Sequence, residues 1–232
     1  MALSHTLSIY EVRDFSLPLT RVMSFSKFND LIESQSLYFS PASHFDDKLE
    51  GNYTNRDHKK SEEQLISCGF NASALQMSAN AKMLIADHNQ QAVVISCWTM
   101  ASELSIRMWD TYTSSEDSLA IQTTVEKLKD ALGSDFLFIP VRYLDFDRDE
   151  IPQTHSLEPF FFKQQTYSWE KELRIVAEME AGKRIGSPRK ARVSLEYFIT
   201  GIKFHPKAST DFITNVKNLV KDKIPTADII SD

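Results

Sequence analysis

The sequence predicts an α+β domain with mixed, largely antiparallel sheets and flanking helices. Strand-like and helix-like hydrophobic patterns are intermixed, without the regular strand–helix–strand alternation of a doubly wound parallel fold. The 232 residues are 42% hydrophobic and 25% charged, which is typical of a globular chain that buries a sizeable core. Because no repeat, low-complexity segment or linker interrupts the chain, we expect residues 1–232 to form a single domain.

Charge and cysteine content limit the classes of protein to which the chain can belong. The net charge of −6 disfavours a broad, non-specific grip on nucleic acid, but it leaves room for one local basic groove. Cys68 and Cys97 are far apart and lack a metal-type spacing, so we interpret them as reduced thiols. We find no secretion signal and no apolar run that is long enough to span a bilayer. We therefore expect a cytoplasmic protein without a membrane partner.

Hydrophobic periodicity predicts the elements of the N-terminal half. We expect a short strand in "LSIYEV" (7–12) and a helix in "SFSKFNDLIESQS" (24–36), where apolar residues recur at helical spacing after a Ser cap. "LYFS" (37–40) predicts a brief strand that leads into a polar loop. Ser61 and the acidic residues after it match a capping box, so a helical region is predicted from there to about residue 90, with a break near Gly69.

The C-terminal half predicts more strands than helices. The near-continuous apolar run "AVVISCW" (92–98) is typical of a strand that is covered on both faces. "LAIQTT" (119–124) predicts a strand, and "VEKLKDALG" (125–133) predicts a helix that ends at a glycine. The proline in "FLFIPVRYLDFD" (136–147) favours an edge strand or a bulge. The remaining predicted elements are the strands "ELRIVAEM", "ITGIKFHP" and "ADIIS" and the helix "STDFITNVKNLVKD".

The stretch "YSWEKELRIV" (167–176) contains the first candidate site. If it forms one strand, Glu170, Glu172 and Arg174 lie on one face, because strand side chains alternate. Two carboxylates at this spacing lie roughly 6.5–7 Å apart, and they raise each other's pKa if they are buried without partners. The row is therefore either a solvated face that Arg174 balances or the floor of a site.

Two further segments contain candidate residues. In "LYFSPASHFDDKLEG" (37–51), Asp46, Asp47 and Glu50 follow a strand and either cap a helix or serve a site. In "ELSIRMWDTYT" (103–113), Trp109 and Tyr112 share a face if the segment is helical, as a core pair or as a binding surface. The sequence has no glycine-rich phosphate loop and no Gly-x-Ser-x-Gly elbow. Its histidines lack a metal-type spacing, so we expect no zinc site and assign no residue as a metal ligand.

The ordered set of these segments resembles a large, mostly uncharacterised bacterial domain family. Its members read roughly as an aromatic-rich start followed by "FNDpfEg", "MWxxY", "ExEyR" and "I-x-x-I-x-x-x-P" before a final helix. The counterparts "FDDKLEG", "MWDTY", "EKELR" and "FITGIKFHP" keep this order over residues from about 20 to 223. Asp46 stands where the family has Asn, Lys48 where it has Pro, and Leu173 where an aromatic residue is common.

A second resemblance is to ADP-ribosyltransferases that are marked by an Arg on an early strand, a Ser on a later strand and a Glu-x-Glu near a third. Arg21, Ser40 and Glu170-Lys-Glu172 occur here in the same order. DNA-modifying ADP-ribosyltransferase toxins have a comparable layout. The resemblance implies an ADP-ribosyltransferase-like fold and NAD as the substrate.

The resemblance also implies roles for the acidic residues. Breaking the nicotinamide–ribose bond of NAD builds positive charge on the ribose, as in glycoside hydrolysis. Glu172 would stabilise that charge and accept a hydrogen bond from a ribose hydroxyl. Glu170 would orient or deprotonate the attacking nucleophile, whereas Arg174 would hold the carboxylates in place.

The other implied roles concern NAD binding. Arg21 would pair with the diphosphate or hold the ribose, because a guanidinium makes forked hydrogen bonds to such oxygens. Ser40 would position neighbouring groups, and Tyr38 or Phe39 would stack on nicotinamide. This hypothesis predicts that Arg21, Ser40 and Glu172 converge on one cleft that is large enough for a dinucleotide.

Three functions are compatible with these residues. The favoured hypothesis is an NAD-dependent ADP-ribosyltransferase-like enzyme, a bacterial toxin or phage-defence effector that modifies nucleic acid or protein and docks an antitoxin protein. The second is a metal-dependent nuclease or phosphohydrolase, in which carboxylates gather around Mg²⁺. Those carboxylates would be Asp46, Asp47, Glu50, Glu170 and Glu172. The third is a non-catalytic interaction module that binds through "MWDTY".

Overall fold

Strands and helices are intermixed throughout the computed structural model, which describes residues 5–47 and 49–230. Lys48, one of the departures from the bacterial family pattern, lies outside the described residues. The strands are β1 (Pro18–Ser24), β2 (Ser36–Pro41), β3 (Val93–Thr99), β4 (Ser118–Thr124), β5 (Leu137–Pro140), β6 (Arg142–Leu144), β7 (Phe162–Gln164), β8 (Glu172–Glu178), β9 (Arg189–Arg192), β10 (Gly201–Phe204) and β11 (Asp228–Ile230). The α-helices are α1 (Phe25–Ser34), α2 (Asn55–Ser67), α3 (Ala72–Ala92), α4 (Ile106–Tyr112), α5 (Val125–Leu132), α6 (Leu195–Phe198) and α7 (Thr210–Lys223). The 3-10 helices are His5–Ile9, Ala42–His44, Glu158–Phe161 and Gln165–Glu170.

One large sheet organises the fold. Its neighbouring strands follow the order β11-β10-β4-β1-β3-β2-β9, and β8 joins β3 and β5 to the same sheet. Every pair in it is antiparallel except β10 with β11, and a separate two-stranded sheet pairs β6 with β7 in parallel. The predicted mixed α/β architecture with a mostly antiparallel sheet and flanking helices is therefore confirmed.

Strand β3 lies at the centre of the sheet, and both of its faces are covered. Val94 and Trp98 belong to the larger hydrophobic core, which also contains buried side chains of α1, α5 and α7. Val93 and Ile95 point to the opposite face, where they join a smaller core built around Phe160, Phe161 and Phe162. The prediction of a strand covered on both faces is therefore confirmed.

Most helices begin and end where the sequence indicates. Ser24 accepts a hydrogen bond from the Lys27 amide at the start of α1, and Ser209 caps α7 in the same way. The predicted break near Gly69 separates α2 from α3, and the side chain of Asn71 caps α3. Within the described residues, none of the helices combines the length and hydropathy that a membrane span requires.

Two element predictions are wrong, and one strand was not predicted. The segment "LSIYEV" is not a strand, because its first three residues belong to the 3-10 helix His5–Ile9. Leu7 and Tyr10 are both buried, and their three-residue spacing suits one helical turn rather than strand alternation. Ser61 lies inside α2, since the capping box is formed earlier by Thr54 and Asp57. The hydrophobic pattern of the sequence did not predict β1.

The segment "FLFIPVRYLDFD" divides at its proline. β5 ends at Pro140, where the chain leaves the large sheet, and β6 begins at Arg142 in the separate two-stranded sheet. β5 pairs with β8 and with no other described strand, so it lies at an edge of the sheet, as the proline predicts.

Candidate active site

A split in the large sheet opens a cavity of about 830 Å³. One edge of β3 pairs with β1 at Thr99 and with β2 at Ile95 and Val94. Between these points, Ser96, Cys97 and Trp98 have no strand partner on that edge among the described residues. The strands β1 and β2 therefore diverge from β3, and side chains of all three strands line the space between them.

The cavity brings together most of the residues that the sequence nominates. The predicted residues that line it are Arg21, Tyr38, Ser40, Asp46, Asp47, Glu50, Tyr112, Glu170 and Glu172. They come from β1, β2, the loop after β2, α4, the 3-10 helix Gln165–Glu170 and β8. Segments that are widely separated in the sequence thus share one space.

The two central carboxylates do not lie on one continuous strand, which corrects the sequence prediction. Glu170 ends the 3-10 helix Gln165–Glu170, and Glu172 begins β8. Between them, Lys171 has a φ of 46°, in the left-handed region that a non-glycine residue rarely adopts. Its carbonyl accepts a hydrogen bond from the Met100 amide at 2.8 Å, which joins this turn to the end of β3.

Lys163, on β7, gathers three carboxylates around its ammonium group. Its Nζ lies 2.7 Å from Oε2 of Glu170, 3.1 Å from Oε1 of Glu50 and 3.4 Å from Oε2 of Glu172. All four side chains are almost fully buried. Since charged groups are rarely buried without partners, Lys163 is the residue that lets the three carboxylates approach one another.

Arg174 holds Glu172 from the other side. Its Nε donates to Oε1 of Glu172 at 2.8 Å, its Nη1 donates to the Phe160 carbonyl at 3.0 Å, and its Nη2 lies 3.0 Å from Oε2 of Glu50. The side chain of Arg174 is fully buried and does not line the cavity. It therefore fixes the carboxylates and is shielded from a ligand, as the sequence analysis anticipated.

The surroundings move the two carboxyl pKa values in opposite directions. Burial alone raises the pKa of Glu172, but the charges of Arg174 and Lys163 outweigh burial and lower it to about 2. Burial raises the pKa of Glu170, and the contact with Lys163 does not fully compensate. Glu172 is therefore ionised at all physiological pH values, whereas Glu170 is the carboxylate that takes up a proton more readily.

Cys97 and Tyr112 adjoin this pair. Burial and the neighbouring Glu172 raise the pKa of the Cys97 thiol, so Cys97 is not a thiolate nucleophile. Burial and the neighbouring Glu170 raise the pKa of Tyr112, whose hydroxyl therefore stays protonated beside that carboxylate. Both residues line the cavity as neutral hydrogen-bonding groups.

Arg21 supplies a positive charge to the cavity without an ion-pair partner. Its Nη1 donates to Oγ of Ser96 at 2.9 Å, and its guanidinium lies 5.8 Å from the centroid of the Trp98 ring. Within residues 5–47 and 49–230, no carboxylate lies within salt-bridge distance of Arg21. Partial removal from water lowers the pKa of Arg21, so its charge is incompletely solvated at the cavity wall. An anionic ligand would balance this charge.

Strand β2 presents Tyr38 and Phe39 to opposite faces, so only one of them can meet a ligand. Tyr38 lines the cavity and is 37% exposed. Phe39 is fully buried in the larger core, where its ring centroid lies 4.8 Å from that of Phe136. Of the two residues predicted as alternatives for stacking on nicotinamide, only Tyr38 therefore faces the cavity. Ser40 lines the cavity, and its hydroxyl donates to the Pro41 carbonyl at 3.3 Å.

The "MWDTY" segment also divides between core and cavity. Trp109 is buried, and its ring lies edge-on to His205 at 5.4 Å between centroids, so it does not reach a ligand. Tyr112 is 43% exposed and lines the cavity. A shared aromatic binding surface, as required by the interaction-module hypothesis, is not formed.

The acidic residues do not form a metal site. No group of three or more His, Cys, Asp or Glu side chains within the described ranges could hold a metal ion. Glu50, Glu170 and Glu172 converge on the Lys163 ammonium, which occupies the position that a cation would need. The Asp47 side chain accepts the Leu49 amide at 2.9 Å and thus ties down its own loop, whereas Asp46 is exposed at the cavity.

Sequence reasoning missed Lys163, the centre of the charged cluster. Lys163 directly follows the apolar run Phe160, Phe161 and Phe162, and this position could have indicated it. Since such a run is expected to be buried, the lysine next to it is expected to be buried as well. Its partners could not be predicted, since Glu50 and Lys163 are 113 residues apart. No protein-family model matches the chain, and no curated protein sequence matches it significantly. Function must therefore be argued from this cavity.

Proposed function

We propose that this chain is an NAD-dependent ADP-ribosyltransferase-like enzyme that modifies nucleic acid or protein, with an ADP-ribosyltransferase-like fold. We further propose that it acts as a bacterial toxin or phage-defence effector restrained by an antitoxin protein. One observation carries the proposal: an unpaired guanidinium and two carboxylates with opposite pKa shifts line a single cavity. Groups whose pKa values are pushed apart are typical of acid–base chemistry.

The residues of the cavity fit NAD in charge and size. A volume of about 830 Å³ is in the range of sites for small molecules and cofactors. A guanidinium has five N–H donors. Arg21 donates one of them to Ser96, so the others are available to the diphosphate. Tyr112 offers an aromatic surface for a planar ring.

Glu172 and Glu170 have different roles in the proposed reaction. NAD supplies a ribose that becomes positively charged as its bond to nicotinamide breaks. Glu172, which Arg174 and Lys163 hold ionised and immobile, provides fixed negative charge near that position. Glu170 takes the proton of the attacking group, because its raised pKa suits proton uptake better than that of Glu172.

The test is incubation of the protein with NAD that is labelled in its adenylate half, together with a mixed pool of RNA, DNA and cell protein. We expect transfer of label to an acceptor and its loss in Glu172→Gln. Glu178→Gln is the matched control, since Glu178 is the exposed last residue of the same strand. If folded wild-type protein neither transfers label nor cleaves NAD, the proposal is wrong.

A further inference from the structure

A short basic segment stands out in an otherwise acidic chain. We use this name for residues 182–192, "GKRIGSPRKAR", which contain five basic residues and no acidic residue. The other 221 residues contain 21 basic and 32 acidic residues, which gives them a net charge of −11. The basic segment is therefore a local exception to the charge of the protein, and such a cluster is what a polyanion requires.

The end of the basic segment borders the cavity. It contains the edge strand β9, which pairs with β2 so that Lys190 lies opposite Tyr38. Directly opposed residues of antiparallel strands point to the same face, so Lys190 shares the face on which Tyr38 lines the cavity. Its Nζ lies 2.9 Å from Asp30, and both Asp30 and Lys27 also line the cavity.

The cations of this segment are available to an incoming ligand. Lys183 and Arg184 are exposed, and within the described ranges neither has an ion-pair partner. The pair between Lys190 and Asp30 is exposed on both sides, at 44% and 53%, and pairs of this kind are weak and readily exchanged. Arg189 is different, because it stacks on Phe136 at 4.5 Å on the other face of the sheet.

We infer that the acceptor is a single-stranded nucleic acid, whose phosphates lie along Lys183, Arg184 and Lys190 while one nucleotide enters the cavity beside Tyr38. The inference rests on the proposed function and deepens it. An exposed tyrosine beside the lysine of a basic segment suits a single strand, because bases stack on aromatic rings while phosphates meet the cations. An enzyme that acts on a base must take it out of its stack, and this costs least when the base is already single-stranded.

The transfer step balances with NAD as the only co-reactant. A nitrogen or oxygen of the nucleotide forms a bond to the ribose carbon that carries nicotinamide, and the nicotinamide–ribose bond breaks. The bonding pair leaves with neutral nicotinamide. The proton of the attacking group passes to Glu170 and then to solvent.

The test measures binding of a fluorescent single-stranded oligonucleotide by anisotropy, without NAD, over a range of salt concentrations. We expect salt-sensitive binding that weakens several-fold in Lys183→Ala/Arg184→Ala. The slope of log K against log salt should become shallower by about 1.4, for two lost phosphate contacts on a single strand. The matched control is Lys217→Ala/Lys221→Ala, which removes two exposed cations from α7 and should leave both quantities unchanged.

Three results would overturn the inference: no binding, equal weakening in both double variants, or label from NAD that goes to protein and is unaffected in Lys183→Ala/Arg184→Ala. Release of nicotinamide without oligonucleotide, with water as the group that bonds to the ribose carbon, reports on the proposed function separately. We expect this release to be unchanged in Lys217→Ala/Lys221→Ala. Its absence from wild type would contradict the proposed function, whereas intact release without oligonucleotide binding would contradict only the choice of acceptor.

Discussion

Glu170 and Glu172 are two residues apart, yet their carboxylates are in different electrostatic environments. Glu172 lies between Lys163 and Arg174, whereas Glu170 contacts only the first of these cations. Three carboxylates share two cations in this cluster, so the cluster holds one excess negative charge when Glu50 and both of these residues are ionised. Burial first, and then the neighbouring charge of Glu172, raise the pKa of Glu170 and give it its tendency to bind a proton.

The pH dependence of NAD cleavage follows from this tendency. A general base must be ionised, so the rate should rise with pH as Glu170 loses its proton. Because its pKa is raised, the inflection should lie above the ordinary 4.5 of a glutamate. Measured pH profiles should lose this inflection in Glu170→Gln and keep it in Glu178→Gln. An unchanged inflection in Glu170→Gln would assign the base to another group.

Arg174 should be needed for stability as well as for geometry. Arg174→Met would leave Glu172 and Glu50 buried beside only one cation, and loss of a buried partner costs about 3–5 kcal/mol. We expect the free energy of unfolding in urea to fall by this amount. Arg192→Met, at an exposed position, should change it by less than about 0.5 kcal/mol. Equal stabilities of the two variants would show that the buried pair contributes nothing.

At the scale of elements, short irregular turns place the charged groups. The left-handed conformation of Lys171 turns the chain between Glu170 and Glu172, and a strand pattern through "YSWEKELRIV" does not reveal it. Sequence periodicity predicted β3, β4, β8 and most helices, because long runs with one period define these elements. It failed at 3-10 turns and at the start of α2, where hydrogen bonds to nearby side chains decide the conformation.

Gly51 lies in the turn that directs Glu50 toward Lys163 and Arg174. Its φ is +78°, and a Cβ there would lie 2.3 Å from the ring of Phe160. The backbone carbonyl of Phe160 accepts a hydrogen bond from Arg174. We expect Gly51→Ala to lower the unfolding midpoint strongly, because both the backbone conformation and the space forbid a side chain.

Gly69→Ala is the control for backbone strain, because Gly69 has a φ of +80° and no atom within 4 Å of an added Cβ. The difference between the two variants in thermal unfolding should therefore report the contact with Phe160. If both variants lose the same stability, the close approach to Phe160 is of no consequence.

At the scale of the whole molecule, the site exists because the large sheet splits. Periodicity predicts strands but not which strands pair, so the divergence of β1 and β2 from β3 could not be predicted from the sequence. The same holds for Lys163, whose partners come from three separate segments. In contrast, Arg21, Ser40, Glu170 and Glu172 were nominated by their order along the chain alone, and all four line the cavity.

The central claim is that the carboxylates at this split act on NAD. The most direct measurement is chromatographic detection of nicotinamide released from NAD by wild type, Glu172→Gln and Glu178→Gln under identical conditions. We predict release by wild type and by Glu178→Gln, and a loss of at least about 100-fold in Glu172→Gln, as expected when a fixed charge-stabilising group is removed. Equal release by all three proteins, or none by folded wild type, would contradict the account.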